Sequence, residues 1–155
     1  MNYQIVEKLP TTEDYNQLRQ SVGWGIYKRD IIEQALPNSL YCVCAVMDGE
    51  IIGMARIIGD GGLAYYIQDV ILKPDYQRQG IGTQLMNKIM EYIRTNAYNN
   101  SVVGLMAAKG KEPFYTRYGF TIRSGSDDWR RYYNRYQGSS SCRDEKYSCQ
   151  NRKIP

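Results

Sequence analysis

Residues 74–93 read PDYQRQGIGTQLMNKIMEYI, and the reading of their two glycines decides the fold. From Gly80 onward Ile81, Leu85, Ile89 and Ile93 repeat every four residues while Lys88, Glu91 and Arg94 fall elsewhere, which predicts an amphipathic helix of about four turns. Glycine costs about 1 kcal/mol against alanine inside a helix, so two at one helix entrance are not there for stability. What they permit is close approach. The first turn exposes unpaired amides at the positive end of the helix dipole, and the missing Cβ of Gly80 and Gly82 lets phosphate oxygens reach them. Gln77, Arg78 and Gln79 add donors at the same rim. The alternative is a tight strand-to-helix turn with its glycines packed against a sheet, and the glycines alone do not separate the two. The stretch is not a Walker loop, because no lysine follows the glycine, and it lacks the third glycine of the dinucleotide fingerprint.

Upstream, Tyr3 to Glu7 reads as a short strand, and Thr11 and Thr12 before Glu13 and Asp14 read as the entry to a helix carrying Tyr15, Leu18 and Val22. Gly23-Trp24-Gly25 breaks it, and a second short helix, Asp30 to Leu36, stops at Pro37. Leu40 to Met47, Ile51 to Ile58 and Leu63 to Leu72 are strand-like, joined by Asp48-Gly49 and by Gly59-Asp60-Gly61-Gly62, which predicts an antiparallel meander. Beyond the long helix, Ser101 to Ala108 reads as a strand buried on both faces and hence internal. Glu112 to Tyr118 reads as a short helix ending at Gly119, and Phe120 to Arg123 as a further strand. Strand, helix, strand and helix in that order require a parallel crossover beside the meander. The expectation is a mixed α/β (α+β) fold, with a mostly antiparallel twisted sheet flanked by helices.

With 155 residues the chain has room for one core of ordinary size. No stretch approaches the length of a membrane span, and MNYQIVEKLP lacks a basic segment followed by an apolar run, so the cytoplasm is the expected location and a membrane partner is not expected. Cys42 and Cys44 lie two apart in an apolar run, where neighbours on one strand face do not easily bridge, and Cys142 and Cys149 lie in a polar tail. With no histidine, zinc would rest on thiolates alone at spacings that match zinc modules poorly, so no metal is expected. Of the formal charge of +4, the segment from Ser124 onward carries +3, which leaves a body close to neutral and no electrostatic reason to expect nucleic acid as its main partner.

Gln77-x-x-Gly80-x-Gly82 after a strand, followed some thirty residues later by Phe114-Tyr115-Thr116-Arg117-Tyr118-Gly119-Phe120, resembles the GNAT superfamily of N-acetyltransferases. That superfamily's cofactor signature is Q/R-x-x-G-x-G/A, and its later helix commonly reads FY-x-x-x-GF. Either half alone is weak; together, in this order, they are specific. The resemblance covers about residues 3 to 123. It implies acetyl-CoA as donor, with pyrophosphate over the amides between Arg78 and Thr83, Ile81 among them. It implies that Tyr65 to Leu72 splays from the next strand at a bulge, so that main-chain groups around Val70, Ile71 and Leu72 meet the pantetheine arm and one amide faces the oxyanion. Tyr115 matches the tyrosine that often protonates the departing thiolate in the family; its other reading is a core tyrosine. Asp69, the carboxylate of that strand, is a candidate base, acting directly or through water, a contact for the substrate ammonium, or a structural partner of a lysine. Trp24, Tyr27 and Tyr41 are candidates for an acceptor-site wall or for core. Ala107, Ala108 and Lys109 stand where family members often carry an asparagine that contacts the cofactor. No cysteine or serine motif suggests a covalent intermediate, so the implied reaction is direct acetyl transfer to an amine of a small molecule or peptide. A catalytically silent acyl-CoA-binding or regulatory protein is the competing reading.

These features divide the chain into an acetyltransferase-like domain, residues 1–123, and a polar, aromatic tail, residues 124–155. The tail has a single aliphatic residue, Ile154, and little with which to build a core strand, although the superfamily usually completes its sheet here. It reads as a solvated extension, as a surface-wrapping segment that touches nucleic acid or a partner, or as a frameshift. One nucleotide gained near codon 124 would hide an Ile-Gly-Gly-Gly-Ile-Ile run suited to a final strand. That strand's acceptor-site or homodimer contacts would then be missing or replaced.

Overall fold

The computed structural model describes residues 2–122 and the backbone of residues 134–136. Strand β1 (Tyr3–Glu7) leads to Thr11, whose hydroxyl accepts the Asp14 amide at 3.1 Å, and Glu13 and Asp14 place negative charge at the positive end of the helix that follows. This helix, α1 (Thr12–Ser21), turns Tyr15 and Leu18 inward. Helix α2 (Arg29–Ala35) runs into a 3-10 turn, Leu36–Asn38, in which Pro37 stops it.

The meander follows as β2 (Tyr41–Met47), β3 (Glu50–Gly59) and β4 (Ala64–Leu72). Asp48 and Gly49 turn the first hairpin with φ of 49° and 82°. In the second, the Asp60 carboxylate accepts the amides of Gly62, Leu63 and Ala64. Helix α3 (Ile81–Asn96) then crosses over, so that β5 (Val102–Leu105) lies parallel to β4. Helix α4 (Glu112–Thr116) and strands β6 (Phe120–Ile122) and β7 (Asn134–Tyr136) complete the described order.

The sheet runs β1-β2-β3-β4-β5, antiparallel except for its last pair, and β6 and β7 form a separate antiparallel pair. One expectation is corrected here and another narrowed. The strand expected to be internal, β5, is the last of the five-stranded ladder; β7 runs alongside it, and Val103, Gly104 and Leu105 are buried all the same. The tail, expected to have little with which to build a core strand, nonetheless supplies the three-residue β7, because a main-chain ladder does not require apolar side chains. The remaining readings of the tail, nucleic-acid contact, a frameshifted segment and the roles of Cys142 and Cys149, lie outside the described residues.

Both faces of the sheet are covered. Against one face α3 buries Ile81, Leu85, Met86, Ile89 and Ile93 over Val43, Ile52, Ile57 and Ile67. Against the other, Tyr15, Leu18 and Ile32 cover Cys42, Cys44, Met54 and Ile71. Cys42 and Cys44 share that face as free, buried thiols. Among the described residues no helix is long and apolar enough to cross a membrane.

Candidate active site

The decisive local event lies in β4. Before it, Tyr65 and Ile67 face α3; after it, Val70 and Leu72 face α3, and Ile71 faces α1 and α2. The parity switches because Asp69 and Val70 together oppose Ala55: Arg56 pairs with Gln68 and Met54 with Ile71, and the register shifts between them. Asp69 adopts φ of 53° to make this bulge. Its side chain thereby turns away from the apolar α3 core and towards α1. On the other edge of β4, pairing with β5 ends at Ile67 and Leu105. Beyond that point the main chain of residues 68–72 has no strand partner on this side among the described residues. The bulge and splay implied by the resemblance are therefore both present.

From Leu72 the chain enters a 3-10 turn, Pro74–Tyr76, and then the glycine loop. Gly80 caps α3 at φ 82° and ψ −8°, and no side chain caps the helix. The first intrahelical bond is from the Gln84 amide to the Gly80 carbonyl at 3.1 Å, so the first-turn amides of Ile81, Gly82 and Thr83 have no intrahelical acceptor. A Cβ on Gly80 would meet nothing within 4 Å, and one on Gly82 would meet only Phe114, at 3.7 Å from Cζ. Gly80 is thus required by its left-handed conformation, and neither glycine is packed against the sheet. An anion fits this cradle: it offers open space, unsatisfied donors and the positive end of a sixteen-residue helix.

Two of the three expected rim donors, Gln77 and Gln79, each give one amide N–H to the chain's own backbone. Gln77 donates from Nε2 to the Leu72 carbonyl at 2.9 Å, and Gln79 from Nε2 to the Asp75 carbonyl at 3.0 Å. These amides brace the loop against the end of β4. Arg78, at φ 62°, is exposed at the rim.

Helix α4 reaches the same end of α3, where the Phe114 ring lies 3.7 Å from the place a Cβ on Gly82 would take. Tyr115, 7 % exposed, meets Phe114 edge-to-face at 5.1 Å between ring centres. Burial, and secondarily Tyr118, push the Tyr115 phenol up to about 12. The Tyr118 hydroxyl is buried and has no hydrogen-bond partner among the described residues. Because the folded state holds the Tyr115 proton more tightly than an ordinary tyrosine, the resulting stabilisation is whole below about pH 10 and is lost as pH rises towards 12. Urea unfolding between about pH 9 and about pH 11.5 should therefore cost wild type about 2 kcal/mol more than it costs Tyr115→Phe. Equal losses in the two proteins would show that Tyr115 titrates normally.

Asp69 is the largest departure from expectation. Its side chain has 0 % exposure, Oδ2 accepts from Arg56 Nε at 2.7 Å and from the Tyr15 hydroxyl at 2.9 Å, and Oδ1 faces Arg19 Nη1 at 3.3 Å. Of the roles open to it in sequence, the geometry matches the structural ion pair, made with arginines. Arg19, Arg56 and Tyr15 are residues that sequence reasoning missed. One signal was available: Arg56 sits within an apolar strand, and a buried charge requires a partner. Burial, followed by Asp69, pushes the Tyr15 phenol up to about 12.

Arg19 carries this node outward. Its Nε donates to the Gly25 carbonyl at 2.6 Å, and its guanidinium carbon lies 4.6 Å from the Tyr27 ring centre and 5.4 Å from that of Trp24. Asn16 holds the Tyr27 backbone in both directions, at 3.0 Å and 3.1 Å. Trp24 and Tyr27, 36 % and 47 % exposed, are thus gathered around Arg19, whose guanidinium reaches Asp69 in the bulge. Tyr41 is not part of this group. It lies on the α3 face, stacked on Tyr92 at 4.8 Å beside an open groove of about 240 Å³, because strand alternation turns it opposite to Cys42. Burial, with Glu7 and Glu91 nearby, raises its pKa.

The sequence matches the family model described as "Acetyltransferase (GNAT) domain" over residues 13–129. The chain belongs to the GNAT acetyltransferase family. It is 33 % identical over 113 residues to an uncharacterized N-acetyltransferase, ycf52-like, of Prochlorococcus marinus, a match covering 70 % of this chain and 62 % of that protein. A probable acetyltransferase of unknown function from meticillin-resistant Staphylococcus aureus superposes with a TM-score of 0.77 at 33 % identity, over 82 % of this chain and 98 % of that one. A GNAT family acetyltransferase from Streptococcus pneumoniae does so with a TM-score of 0.67 at 32 % identity, over 81 % and 96 %. The GNAT chain described here spans less than two thirds of the length of the curated relatives it matches, 62 % and 63 % for the proteins of Prochlorococcus marinus and Pyropia yezoensis named ycf52-like and ycf52 and 35 % for a chloroplastic relative of Arabidopsis thaliana. Among the described residues no group of three or more His, Cys, Asp or Glu could hold a metal ion.

Proposed function

We propose that this chain is an N-acetyltransferase that moves the acetyl group of acetyl-CoA directly to a primary amine of a small molecule or peptide. One observation carries the reading: the unpaired first-turn amides of α3 stand just beyond a strand, β4, whose outer edge opens past Ile67. The Ile81, Gly82 and Thr83 amides hold the pyrophosphate with Arg78 at the rim, while Gln77 and Gln79 keep the loop in shape. The free edge around Val70, Ile71 and Leu72 receives the pantetheine arm, and a main-chain amide at the bulge stabilises the oxyanion. Trp24 and Tyr27 wall the acceptor side. A C–N bond forms as the C–S bond breaks; the departing sulfur takes a proton from Tyr115. Asp69, with both oxygens engaged, leaves the amine's proton to solvent water. Catalysis rests on positioning and oxyanion stabilisation.

Isothermal titration with acetyl-CoA tests the donor, and thiol release across an amine panel tests the transfer: a polyamine, an aminoglycoside, an amino sugar, an arylamine and a peptide with a free N-terminus and lysine. Saturable heat and thiol release with at least one amine are expected. No heat at high protein concentration would sink the donor assignment. A second reading, a silent acyl-CoA-binding or regulatory protein, draws on the engagement of both Asp69 oxygens. Binding without thiol release from any amine would select it.

A further inference from the structure

We propose that Asp69 is a positioning residue: it ties the acceptor-side loop to the bulge in β4, so that the wall built by Trp24 and Tyr27 and the oxyanion-facing amide hold one fixed geometry. The inference rests on the acetyl-transfer reading above.

A proton acceptor needs a lone pair that the amine, or a water bridging to it, can reach. The Asp69 side chain offers none within such reach: it is fully enclosed, and three side chains on two elements take up three of its roughly four acceptor sites. Arg56 comes from β3 and is itself held by the Ser39 hydroxyl at 3.2 Å; Tyr15 and Arg19 come from α1. Arg19 continues to the Gly25 carbonyl and beneath the rings of Trp24 and Tyr27. The run of contacts from acceptor wall to guanidinium, carboxylate and strand backbone is therefore unbroken.

An ordinary buried ion pair would not need the backbone found here. Asp69 itself takes a left-handed φ of 53°, one residue past Gln68, where pairing between β4 and β5 has just ended. Asp48 and Arg78 take the same region in turns, but inside a strand a left-handed residue breaks the ladder and turns its side chain to the other face, so its contacts there decide whether the bulge holds one geometry. The two ion pairs and the Tyr15 hydrogen bond are those contacts. They fix the peptide that follows, whose amide belongs to Val70, at the mouth of the opened edge.

The experiment uses the full chain, with acetyl-CoA and free CoA as calorimetric probes and thiol release from acetyl-CoA, with and without the best amine of the panel, as the rate. Asp69→Asn keeps the shape and removes the charge. CoA affinity should stay within about twofold of wild type, whereas the preference for acetyl-CoA over CoA, about 2- to 10-fold for one hydrogen bond to the carbonyl, should disappear. Turnover should fall about 10- to 50-fold with the KM for acetyl-CoA changed less than about threefold, as expected of a misplaced reacting group. The ascending limb of the pH profile should remain. Tyr15→Phe, which leaves both ion pairs in place, should give the same pattern at about 3- to 10-fold in turnover, and it serves where Asp69→Asn does not fold. Loss of the ascending limb with the acetyl-CoA preference retained would make Asp69 the base and overturn the proposal. Unchanged turnover in the folded variants would overturn it equally. If wild type itself neither binds acetyl-CoA nor releases thiol, the acetyl-transfer reading fails, and that result is distinguishable from a failure confined to the variants.

Discussion

Tyr115→Phe is expected to lower turnover about 10²- to 10³-fold while leaving acetyl-CoA affinity within about twofold, the separation that loss of a general acid produces. The ring is buried and braced edge-to-face by Phe114, so phenylalanine preserves the packing and removes only the hydroxyl. A phenol pushed up to about 12 is a weak donor to a thiolate whose ordinary pKa is about 8.5. The same enclosure that raises the phenol also disfavours a free thiolate, so the mismatch narrows when sulfur departs inside the site. The pH dependence sharpens the expectation. A tyrosine raised this far remains protonated through neutral pH, so the deficit should be constant from about pH 6 to about pH 9. Measured turnover equal to wild type would remove the acid role from Tyr115. A deficit appearing only in acetyl-CoA KM would make it a packing residue at the mouth of the cleft.

Much of this arrangement is legible in the chain. The four-residue repeat behind Gly80, the Asp48-Gly49 turn and the Thr11 entry each express a local rule, and each element forms within a few residues of where that rule places it. The bulge is not legible in the same way. Along β4 the buried positions are Tyr65, Ile67, Asp69 and Ile71, an unbroken alternation that hides a change of face because both faces are covered. Only the tertiary partners of Asp69 reveal it. The same double coverage misled the grouping of Tyr41 with Trp24 and Tyr27: β2 is apolar on both sides, so its sequence does not say which side meets α1. Gln77 and Gln79 were missed as loop braces for another reason. A glutamine beside a glycine-rich turn reads equally well as a donor to a ligand or to its own backbone, and here the Leu72 and Asp75 carbonyls each take one N–H. Arg56 is the counterexample, since a guanidinium inside an apolar strand demands a carboxylate and Asp69 stands on the neighbouring strand.

The glycine that opens α3 offers the sharpest test, because stability and affinity should come apart. Gly82 is helical, and a Cβ there would sit at an ordinary 3.7 Å from Phe114. Gly82→Ala should therefore fold and gain up to about 1 kcal/mol of stability with acetyl-CoA affinity within about threefold, because the family signature admits alanine at this position and the methyl would face Phe114. Gly82→Asp separates the two effects. A carboxylate in the first turn interacts favourably with the helix dipole, by about 0.3–1 kcal/mol, so the fold should tolerate it. In the complex it would occupy the pyrophosphate's place with the same sign of charge, and affinity should drop by about 10³-fold or more. Thermal melts and calorimetry on the same preparations read both quantities. If Gly82 served only a tight turn, both substitutions would destabilise the fold and binding would follow stability downward. If the Asp variant instead kept acetyl-CoA affinity within about tenfold, the free amides of Ile81 to Thr83 would not be the phosphate site, since no anion shares that cradle with a carboxylate without a larger electrostatic cost.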